Sequence, residues 1–472
     1  MLEDSTPMTS VFPVQYHKFE NNNKIFVLNV ETMCAYRIGR PLSDKIDRLE
    51  NCACKIWSDL PDDLITALNN LGLLVPTHSS NASTQPIPAR EPIKHISLNV
   101  AQSCNLNCVY CYGMDGEYNQ KGFIDKEVAF RAVDWLIQQS MNEKVILITF
   151  FGGEPLLNFP LIKQVVTYAK EQTQGCGKKV FFSITTNGTL LTKEIDAYLN
   201  EQGFSVVISF DGTLQMQNLN RPFKNKNGSH ENTQSRVQEF VATRDGKVTA
   251  RATITSYNAN LKMVRDSLRE IGFKRSLCAE ASPNIFNNKI NGSCCSYSLR
   301  EDQKKELLND IMNQAEETFI AIKQRERPFS GIIFGILHRL NTKLKRKYYC
   351  GVGRGLVGVS IDGTVYPCHR FVGSSGFEMG TVNDFNSDSR SAYINNYGVS
   401  TKHCSTCWTR YFCGGGCLYE ALMTNGTMDK PYSNSCDQIR RFVEKGIVVY
   451  DKLDKSDRDF LSTFGRQEER TS

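Results

Sequence analysis

The sequence predicts an α/β fold in which six βα units form a parallel sheet or an open barrel. Apolar runs with high β-propensity alternate with helical patterns between residue 93 and about residue 283. These runs are His95–Val100, Val145–Phe151, Val180–Thr185, Ser205–Phe210, Val248–Thr255 and Phe273–Ala281. Folds of this type bind ligands at the carboxyl ends of their strands, so we expect functional motifs there.

Length and composition bound the class of protein. The 472 residues leave room for two to four domains at roughly 100 to 200 residues each, and 40% are hydrophobic. The net charge of +6 is too small to predict a nucleic-acid partner. The first ten residues lack the features of a secretory signal, and no apolar run reaches the roughly 18 to 20 residues of a membrane span. We therefore expect a cytoplasmic protein with no nucleic-acid or membrane partner.

Residues 1–76 are predicted to form a small N-terminal domain. Strand-like stretches at Gln15–Phe19 and Ile25–Val30 flank an asparagine turn, and two helical stretches follow. Pro61 opens the second helical stretch and Gly72 closes it. Residues 77–92 are polar and contain three prolines, which indicates a linker.

Cysteine usage points to metal sites. Seventeen cysteines are many for a cytosolic chain, where thiols remain reduced and bind metal more often than they pair. Three lie close together after the first strand, and seven lie near the C-terminus. The other seven are interpreted as mostly small structural hydrophobes: Cys34, Cys52, Cys54, Cys176, Cys278, Cys294 and Cys295.

The first group is Cys104, Cys108 and Cys111, on the loop that follows the first strand. A 4Fe-4S cube has four ligand positions, so three thiolates would leave one iron open to a small molecule. By spacing alone, a zinc site with a distant fourth ligand, or plain loop cysteines, stay possible. After the second strand, Gly152 and Gly153 let a backbone approach a ligand, and Glu154 can accept a hydrogen bond from an ammonium group.

Together these motifs resemble the radical S-adenosylmethionine (radical SAM) enzymes. The resemblance implies a partial (β/α)6 TIM-type barrel over residues 93–340, with SAM and a 4Fe-4S cluster as cofactors. It implies that Tyr112 packs on adenine and that Gly152, Gly153 and Glu154 bind the methionine amino group. Ser209 and Arg251 would meet the ribose and the carboxylate; the alternatives are a turn serine and a surface arginine.

The seven C-terminal cysteines are Cys350, Cys368, Cys404, Cys407, Cys413, Cys417 and Cys436. Their spacing resembles that of the SPASM extension of radical SAM enzymes. Such an extension holds two auxiliary clusters, which would bring the total to three 4Fe-4S clusters. The resemblance assigns one cluster to Cys404, Cys407, Cys413 and Cys436. It assigns the other to Cys350, Cys368 and Cys417. A remote cysteine such as Cys278 completes the second cluster, or one iron stays open. A structural zinc site is the alternative for Cys404–Cys417 alone. The predicted SPASM domain spans residues 341–441, followed by a tail at 442–472.

The residue after Cys368 distinguishes sulfatase-maturing enzymes from other maturases with this cysteine pattern. Sulfatase-maturing enzymes carry an aspartate there, whereas this chain has His369. The surrounding segment resembles six-cysteine-peptide maturases and quinohemoprotein amine dehydrogenase maturation proteins, which install thioether links. A merely hydrogen-bonding role is the alternative for His369.

The N-terminal arrangement resembles a winged-helix leader-peptide recognition element, with a capping or dimerisation domain as the alternative. The predicted function is thioether crosslinking of a ribosomally made precursor peptide or small protein with a leader. Electrons would come from a flavodoxin- or ferredoxin-type reductant. The rival functions are carbon–carbon crosslinking and, outside enzymes, electron transfer by an iron-sulfur protein.

Overall fold

The computed structural model describes residues 11–13, 15–51, 61–76, 91–244, 248–282, 297–395 and 397–464. Most of the predicted linker and the predicted structural cysteines Cys52, Cys54, Cys294 and Cys295 lie outside these ranges. Of the other three, Cys34 and Cys278 are partly buried. Cys176 is exposed and is therefore an exception to the structural interpretation, which was made for most of the seven.

The strands are β1 Val11–Pro13, β2 Tyr16–Asn21, β3 Lys24–Asn29, β4 Cys34–Ile38, β5 Leu74–Pro76, β6 His95–Gln102, β7 Gly122–Phe123, β8 Val145–Gly152, β9 Lys179–Thr186, β10 Ser205–Ser209, β11 Val248–Ile254, β12 Ser276–Glu280, β13 Leu356–Val359 and β14 Val365–Tyr366. The helices are α1 Arg40–Asn51, α2 Asp62–Asn70, α3 Lys126–Gln139, α4 Phe159–Gly175, α5 Lys193–Glu201, α6 Leu214–Asn220, α7 His230–Ala242, α8 Leu261–Ile271, α9 Glu301–Lys323, α10 Ile332–Thr342, α11 Ser387–Asn395, α12 Arg410–Cys413, α13 Leu418–Asn425, α14 Ser433–Asp451 and α15 Lys455–Ser462. A short 3-10 helix, Pro155–Asn158, follows β8.

The predicted parallel sheet is confirmed. Strands β6, β8, β9, β10, β11 and β12 lie side by side in chain order, and each neighbouring pair is parallel. Because side chains alternate across a strand, Ile148, Phe150 and Ile184 are buried against the helices. Phe151 and Arg251 face the opposite side, which is the lumen of the partial barrel.

The sheet continues into the C-terminal region. Strand β13 pairs in parallel with β6, on the side away from β8, and β14 pairs with β13 in antiparallel fashion. A Cβ on Gly358 would lie 2.8 Å from the backbone carbon of Cys368, so only glycine lets these backbones pack so closely. The β13 strand therefore places Cys368 and His369 directly beside the barrel.

The N-terminal residues form an antiparallel sheet in the order β2-β3-β4, and Val27 of β3 packs with Ile46 of α1 and Leu68 of α2 in a separate small core. The predicted turn lies at Asn22 and Asn23, which both have positive φ angles. Strand β4 was not predicted. This unit contacts the C-terminal region, where the His17 ring stacks on Trp408 with centroids 3.6 Å apart.

The predicted boundary between residues 441 and 442 lies inside the continuous helix α14. Phe442, Val443 and Ile447 bury the apolar face of that helix, which packs against α9 and α10. In the described ranges, no helix combines the length and the apolar character needed to cross a membrane.

Candidate active site

The loop that carries Cys104, Cys108 and Cys111 is fixed by backbone hydrogen bonds. Val109 N donates to Asn220 O at 3.0 Å, and Asn107 N donates to Pro222 O at 2.8 Å. Leu106 also forms an isolated antiparallel bridge with Phe223. The segment after α6 therefore forms one wall of the cysteine loop.

The three thiols of this loop lie in a desolvated environment. Burial, followed by the charge of Glu154, raises the pKa of Cys104 to about 11. Burial also raises the pKa values of Cys108 and Cys111, and the three groups interact electrostatically. Thiols of this kind ionise at neutral pH only when a cation compensates the charge, as a bound metal centre does.

The predicted glycine turn packs directly on this loop. Gly152 has φ +128°, and a Cβ there would overlap the carbonyl of Ala101. A Cβ on Gly153 would overlap the carbonyl of Ser103. Gly153 N donates to Ala101 O at 2.8 Å, and Glu154 N donates to Ser103 O at 2.9 Å. Two glycines are therefore needed to bring the end of β8 against the cysteine loop.

The Glu154 side chain is fully buried and joins two strand ends. Its Oε1 accepts from Leu156 N at 3.0 Å and from Thr186 Oγ1 at 2.8 Å, while Oε2 accepts from Asn187 N at 2.7 Å. Burial raises the pKa of Glu154 to about 6, although these hydrogen bonds oppose the shift. The carboxylate thus orders the loop after β9 in addition to its predicted role. In that loop, Asn187 Nδ2 lies 3.8 Å from Cys104 Sγ.

The other predicted SAM-binding residues meet in the lumen. Ser209 and Arg251 are direct partners in the β10–β11 register. Burial raises the pKa of Tyr112, whereas the charges of Arg370 and Arg251 act to lower it. The structure therefore brings Tyr112, Ser209 and Arg251 to one side of the sheet.

Arg370 links this lumen to the C-terminal cysteines. Its guanidinium carbon lies 5.3 Å from the Tyr112 ring centroid and 4.4 Å from that of Tyr419. Nη1 lies 3.8 Å from Cys417 Sγ, and Nη2 donates to Ser282 Oγ at 2.7 Å. Next to it, the His369 ring centroid is 4.7 Å from that of Phe151. Burial, followed by the charge of Arg251, lowers the pKa of His369 to about 3, so the imidazole is neutral at pH 7.

Four C-terminal cysteines line one cavity of about 220 Å³: Cys404, Cys407, Cys413 and Cys436. Burial, with the other three thiols nearby, raises the pKa of Cys436 to about 11. The exposed residues Lys430 and Arg440 also line this cavity. The grouping agrees with the set assigned to one cluster from the sequence pattern.

The remaining three C-terminal cysteines form a second group. Burial, together with the neighbouring Cys417 and Cys350 thiols, raises the pKa of Cys368 to about 12. Cys278 pairs in register with Ala252, whose side chain packs on the helix side of the sheet. Burial raises the pKa of Cys278 to about 11, and its interactions are with Ser276, Arg265 and Asp211. Cys368 therefore interacts with two other thiols, whereas the interactions of Cys278 are with residues other than cysteine.

Sequence reasoning missed a buried network beside the first cysteine loop. Arg221 Nη1 donates to the Tyr110 hydroxyl at 2.6 Å, and that hydroxyl donates to Asp211 Oδ2 at 2.5 Å. Tyr110 lies between the candidate ligands Cys108 and Cys111, and this position was the one sequence signal for the network. Its partner Arg221 is 111 positions away in the sequence, so the contact itself was not predictable.

Comparison with known proteins identifies the family. The model of the radical SAM superfamily matches residues 98–244. An uncharacterized protein of Methanocaldococcus jannaschii, MJ0907, is 30% identical over 295 residues, which span 62% of this chain and 90% of the relative. The chain belongs to the radical SAM superfamily. It is therefore a radical SAM enzyme, as the motifs predicted.

Two further comparisons bear on this radical SAM chain. The radical SAM cyclopropyl synthase TigE of Paramaledivibacter caminithermalis is 27% identical over 416 residues, 78% of each chain. The structure of native anSMEcpe with bound AdoMet and Cp18Cys peptide superposes with a TM-score of 0.62 at 21% identity, covering 77% of this chain and all of that one. This likeness supports the fold.

The donor set fits the cofactors of a radical SAM enzyme. When bound, a 4Fe-4S cluster reduces SAM to methionine and a 5′-deoxyadenosyl radical that removes a hydrogen atom from a substrate. Cys104, Cys108 and Cys111 are soft sulfur donors on one ordered loop, and the lumen beside them contains an aromatic ring and a cation. Within the described ranges, no three His, Cys, Asp or Glu side chains are close enough for a single metal ion. Cluster ligands stand farther apart, because each thiolate binds a different iron.

Proposed function

We propose that this radical SAM enzyme modifies a ribosomally made peptide or small protein by joining a cysteine sulfur to a carbon of another residue. The observation that carries the proposal is the position of Arg370, which contacts both Tyr112 and Cys417. One side chain thus spans the distance between the SAM face of the lumen and the inner group of three C-terminal thiols. A substrate between them would have its radical carbon beside a sulfur-binding site.

The inner group, Cys350, Cys368 and Cys417, would hold one auxiliary 4Fe-4S cluster. Three protein thiols leave one coordination position of a cube free, and the interactions of Cys278 do not favour it as the fourth ligand. We propose that the substrate cysteine supplies the fourth sulfur. Coordination of that kind lowers the pKa of a thiol and fixes its position, and fixed partners can gain roughly 7 to 11 kcal/mol over a bimolecular encounter.

The outer group, Cys404, Cys407, Cys413 and Cys436, would hold a second auxiliary cluster with all four positions filled. Its cavity opens near exposed Lys430 and Arg440, so this cluster is the natural entry for electrons from a flavodoxin- or ferredoxin-type donor. With the first loop, the chain would carry three clusters. Such centres require a reducing compartment, so we place the enzyme in the cytoplasm.

The N-terminal unit would bind the leader of the precursor. In the described sheet, β4 pairs with β3 on one side, and its other edge has no strand partner. An extended peptide can add to such an edge through backbone hydrogen bonds with little demand on sequence. We therefore propose residues 1–76 as a leader-binding domain, separate from the barrel and the SPASM-type region.

The crosslink balances as the loss of two hydrogens from the substrate. The target carbon loses a hydrogen atom to the 5′-deoxyadenosyl group, and the thiol loses a proton. One electron is released when the sulfur–carbon bond forms, and an auxiliary cluster would accept that electron. The water-poor lumen protects the carbon radical during this step.

Carbon–carbon bond formation is the second candidate, because the relative TigE is a cyclopropyl synthase. That reaction needs no thiol on the substrate. The inner three-cysteine group would then be an electron acceptor without a substrate ligand.

The test uses the product of a short Cys-rich open reading frame beside the gene, with its Cys→Ser analogue as the matched control. We expect the peptide to lose two hydrogens and its reactivity towards iodoacetamide, and the analogue to remain unchanged. Spectra of the auxiliary clusters should change with the peptide and not with the analogue. Loss of two hydrogens with retained thiol reactivity would favour carbon–carbon bond formation instead.

A further inference from the structure

The buried network at the first cysteine loop has a negatively charged end and a positively charged end. Both oxygens of Asp211 accept hydrogen bonds, Oδ2 from the Tyr110 hydroxyl and Oδ1 from Thr253 N at 2.9 Å. An ionised carboxylate accepts hydrogen bonds at both oxygens and donates none, which is the pattern that Asp211 shows. Tyr110 in turn accepts from Arg221. The row therefore runs from a buried anion, through a phenol, to a buried cation.

The cation end of this row faces the cysteine loop. Arg221 follows the last residue of α6, and the residues on both sides of it pair with the loop backbone through Val109 and Asn107. The same wall of the site thus holds the central thiol and the cation.

The guanidinium also has an unused donor. Arg221 Nε is buried and has no hydrogen-bond partner in the structure. A buried, charged N–H without an acceptor is costly, whereas cluster sulfides and cysteine sulfurs accept such bonds. The orphaned donor therefore remains available to a negatively charged acceptor at this wall of the site, such as a cluster sulfur.

We propose that Arg221 is the built-in counter-cation of the radical SAM cluster and raises the reduction potential of that cluster. Reduction adds one negative charge to a desolvated site, and a nearby buried cation stabilises that charge. Tyr110 and Asp211 are positioning residues: they hold the guanidinium, and the Asp211 charge partly offsets it. The inference rests on the proposed ligands of the first cluster.

The charges predict shifts of opposite sign. The midpoint potential is measured by reductive titration of the full-length, reconstituted enzyme without substrate, monitored by EPR. The signal of the radical SAM cluster is recognised because its shape changes when SAM is added. We expect Arg221→Gln to lower the midpoint potential, Arg221→Lys to restore most of it, and Asp211→Asn to raise it. Arg244→Gln is the matched control, because Arg244 is also buried but donates to the carbonyls of Leu199 and Phe204. That control should retain the original potential.

The outcomes separate the inference from the assignment beneath it. An Arg221→Gln enzyme with full iron content and an unchanged potential overturns the inference, as do Arg221→Gln and Asp211→Asn shifts in the same direction. If Arg221→Gln does not retain the cluster, the Asp211→Asn titration decides, and an unchanged potential there counts against the proposal. A SAM-sensitive signal that survives in Cys108→Ala would instead overturn the ligand set.

Discussion

The first cysteine loop and the outer cysteine cavity hold sulfur in contrasting ways. The first loop gathers three thiols on one short segment, next to a buried cation and a buried carboxylate. The outer cavity gathers three thiols from residues 404–413 and a fourth, Cys436, from α14, beside exposed Lys430 and Arg440. On the proposed assignment, three donors beside buried charges would leave one iron free for a reacting ligand, whereas four donors would fill every position of a cube. The contrast predicts that the number of thiol ligands separates the reacting cluster from an electron-transfer cluster.

Removing one thiol from each site is the strongest way to break this comparison. Cys108→Ala should abolish reductive SAM cleavage, because the two remaining thiolates cannot hold the cluster whose cysteine-free iron would bind SAM. Cys436→Ala should keep cleavage without substrate while losing the iron of one cluster. Methionine and 5′-deoxyadenosine, measured after adding dithionite, with iron content determined in parallel, check both outcomes. Retained cleavage in Cys108→Ala would contradict the assignment.

The buried carboxylate of the first site gives a weaker but more specific effect, a pH dependence. The pKa of Glu154 is raised to about 6, so the side chain becomes protonated as the pH falls below that value. A protonated carboxyl accepts poorly from the SAM ammonium group, so SAM affinity should fall, approaching roughly tenfold per pH unit well below 6. Equilibrium binding of SAM between pH 5 and 8 measures this.

The matched control for that pH dependence is Glu154→Gln, which keeps the shape of the side chain and cannot ionise. We expect weaker SAM binding at pH 8 and a flat profile towards pH 5. A wild-type profile that is equally flat would show that the ammonium is bound elsewhere. The hydrogen bonds to Thr186 and Asn187 would then be the main role of Glu154.

The local part of this site was predictable from the sequence, because the information lies in short segments. Apolar runs gave the barrel strands to within about three residues at each end, and Cys104–Cys111 follows its strand as predicted. Gly152 and Gly153, at the end of β8, were interpreted as allowing a close approach of the backbone, and in the structure the close neighbours are the carbonyls of Ala101 and Ser103.

The contacts that depend on distant chain segments were not predictable. Arg221 reaches Tyr110 across 111 positions, and no local pattern encodes that meeting. Strand β4 is short, and its residues do not alternate between buried and exposed positions. Its sequence therefore shows no clear alternation of apolar and polar residues, which is the signal that predicts a strand. The predicted boundary at 441/442 followed the cysteine pattern, which ends at Cys436, whereas the buried apolar positions of α14 continue to Val449.

The smallest expected effect concerns the contact between the N-terminal unit and the outer cysteine loop. His17 stacks on Trp408 with an interplanar angle of 4°, its Nε2 lies 2.8 Å from Glu444 Oε1, and the Gln15 side chain donates to Thr406 O. Stacked pairs contribute about 0.5 to 1.5 kcal/mol beyond their buried area. Trp408→Ala should therefore loosen the docking without unfolding the barrel.

If the docked unit presents the leader, that loosening should raise KM for the full precursor by roughly two- to tenfold. Turnover of a leaderless peptide and SAM cleavage without substrate should change little, because neither uses the N-terminal unit. Trp408→Phe, which keeps an aromatic ring for His17, is the matched control and should recover most of the affinity. Equal losses for precursor and leaderless peptide would place the defect in the outer cluster, since Trp408 directly follows Cys407. The contact would then serve the metal site and not leader recognition.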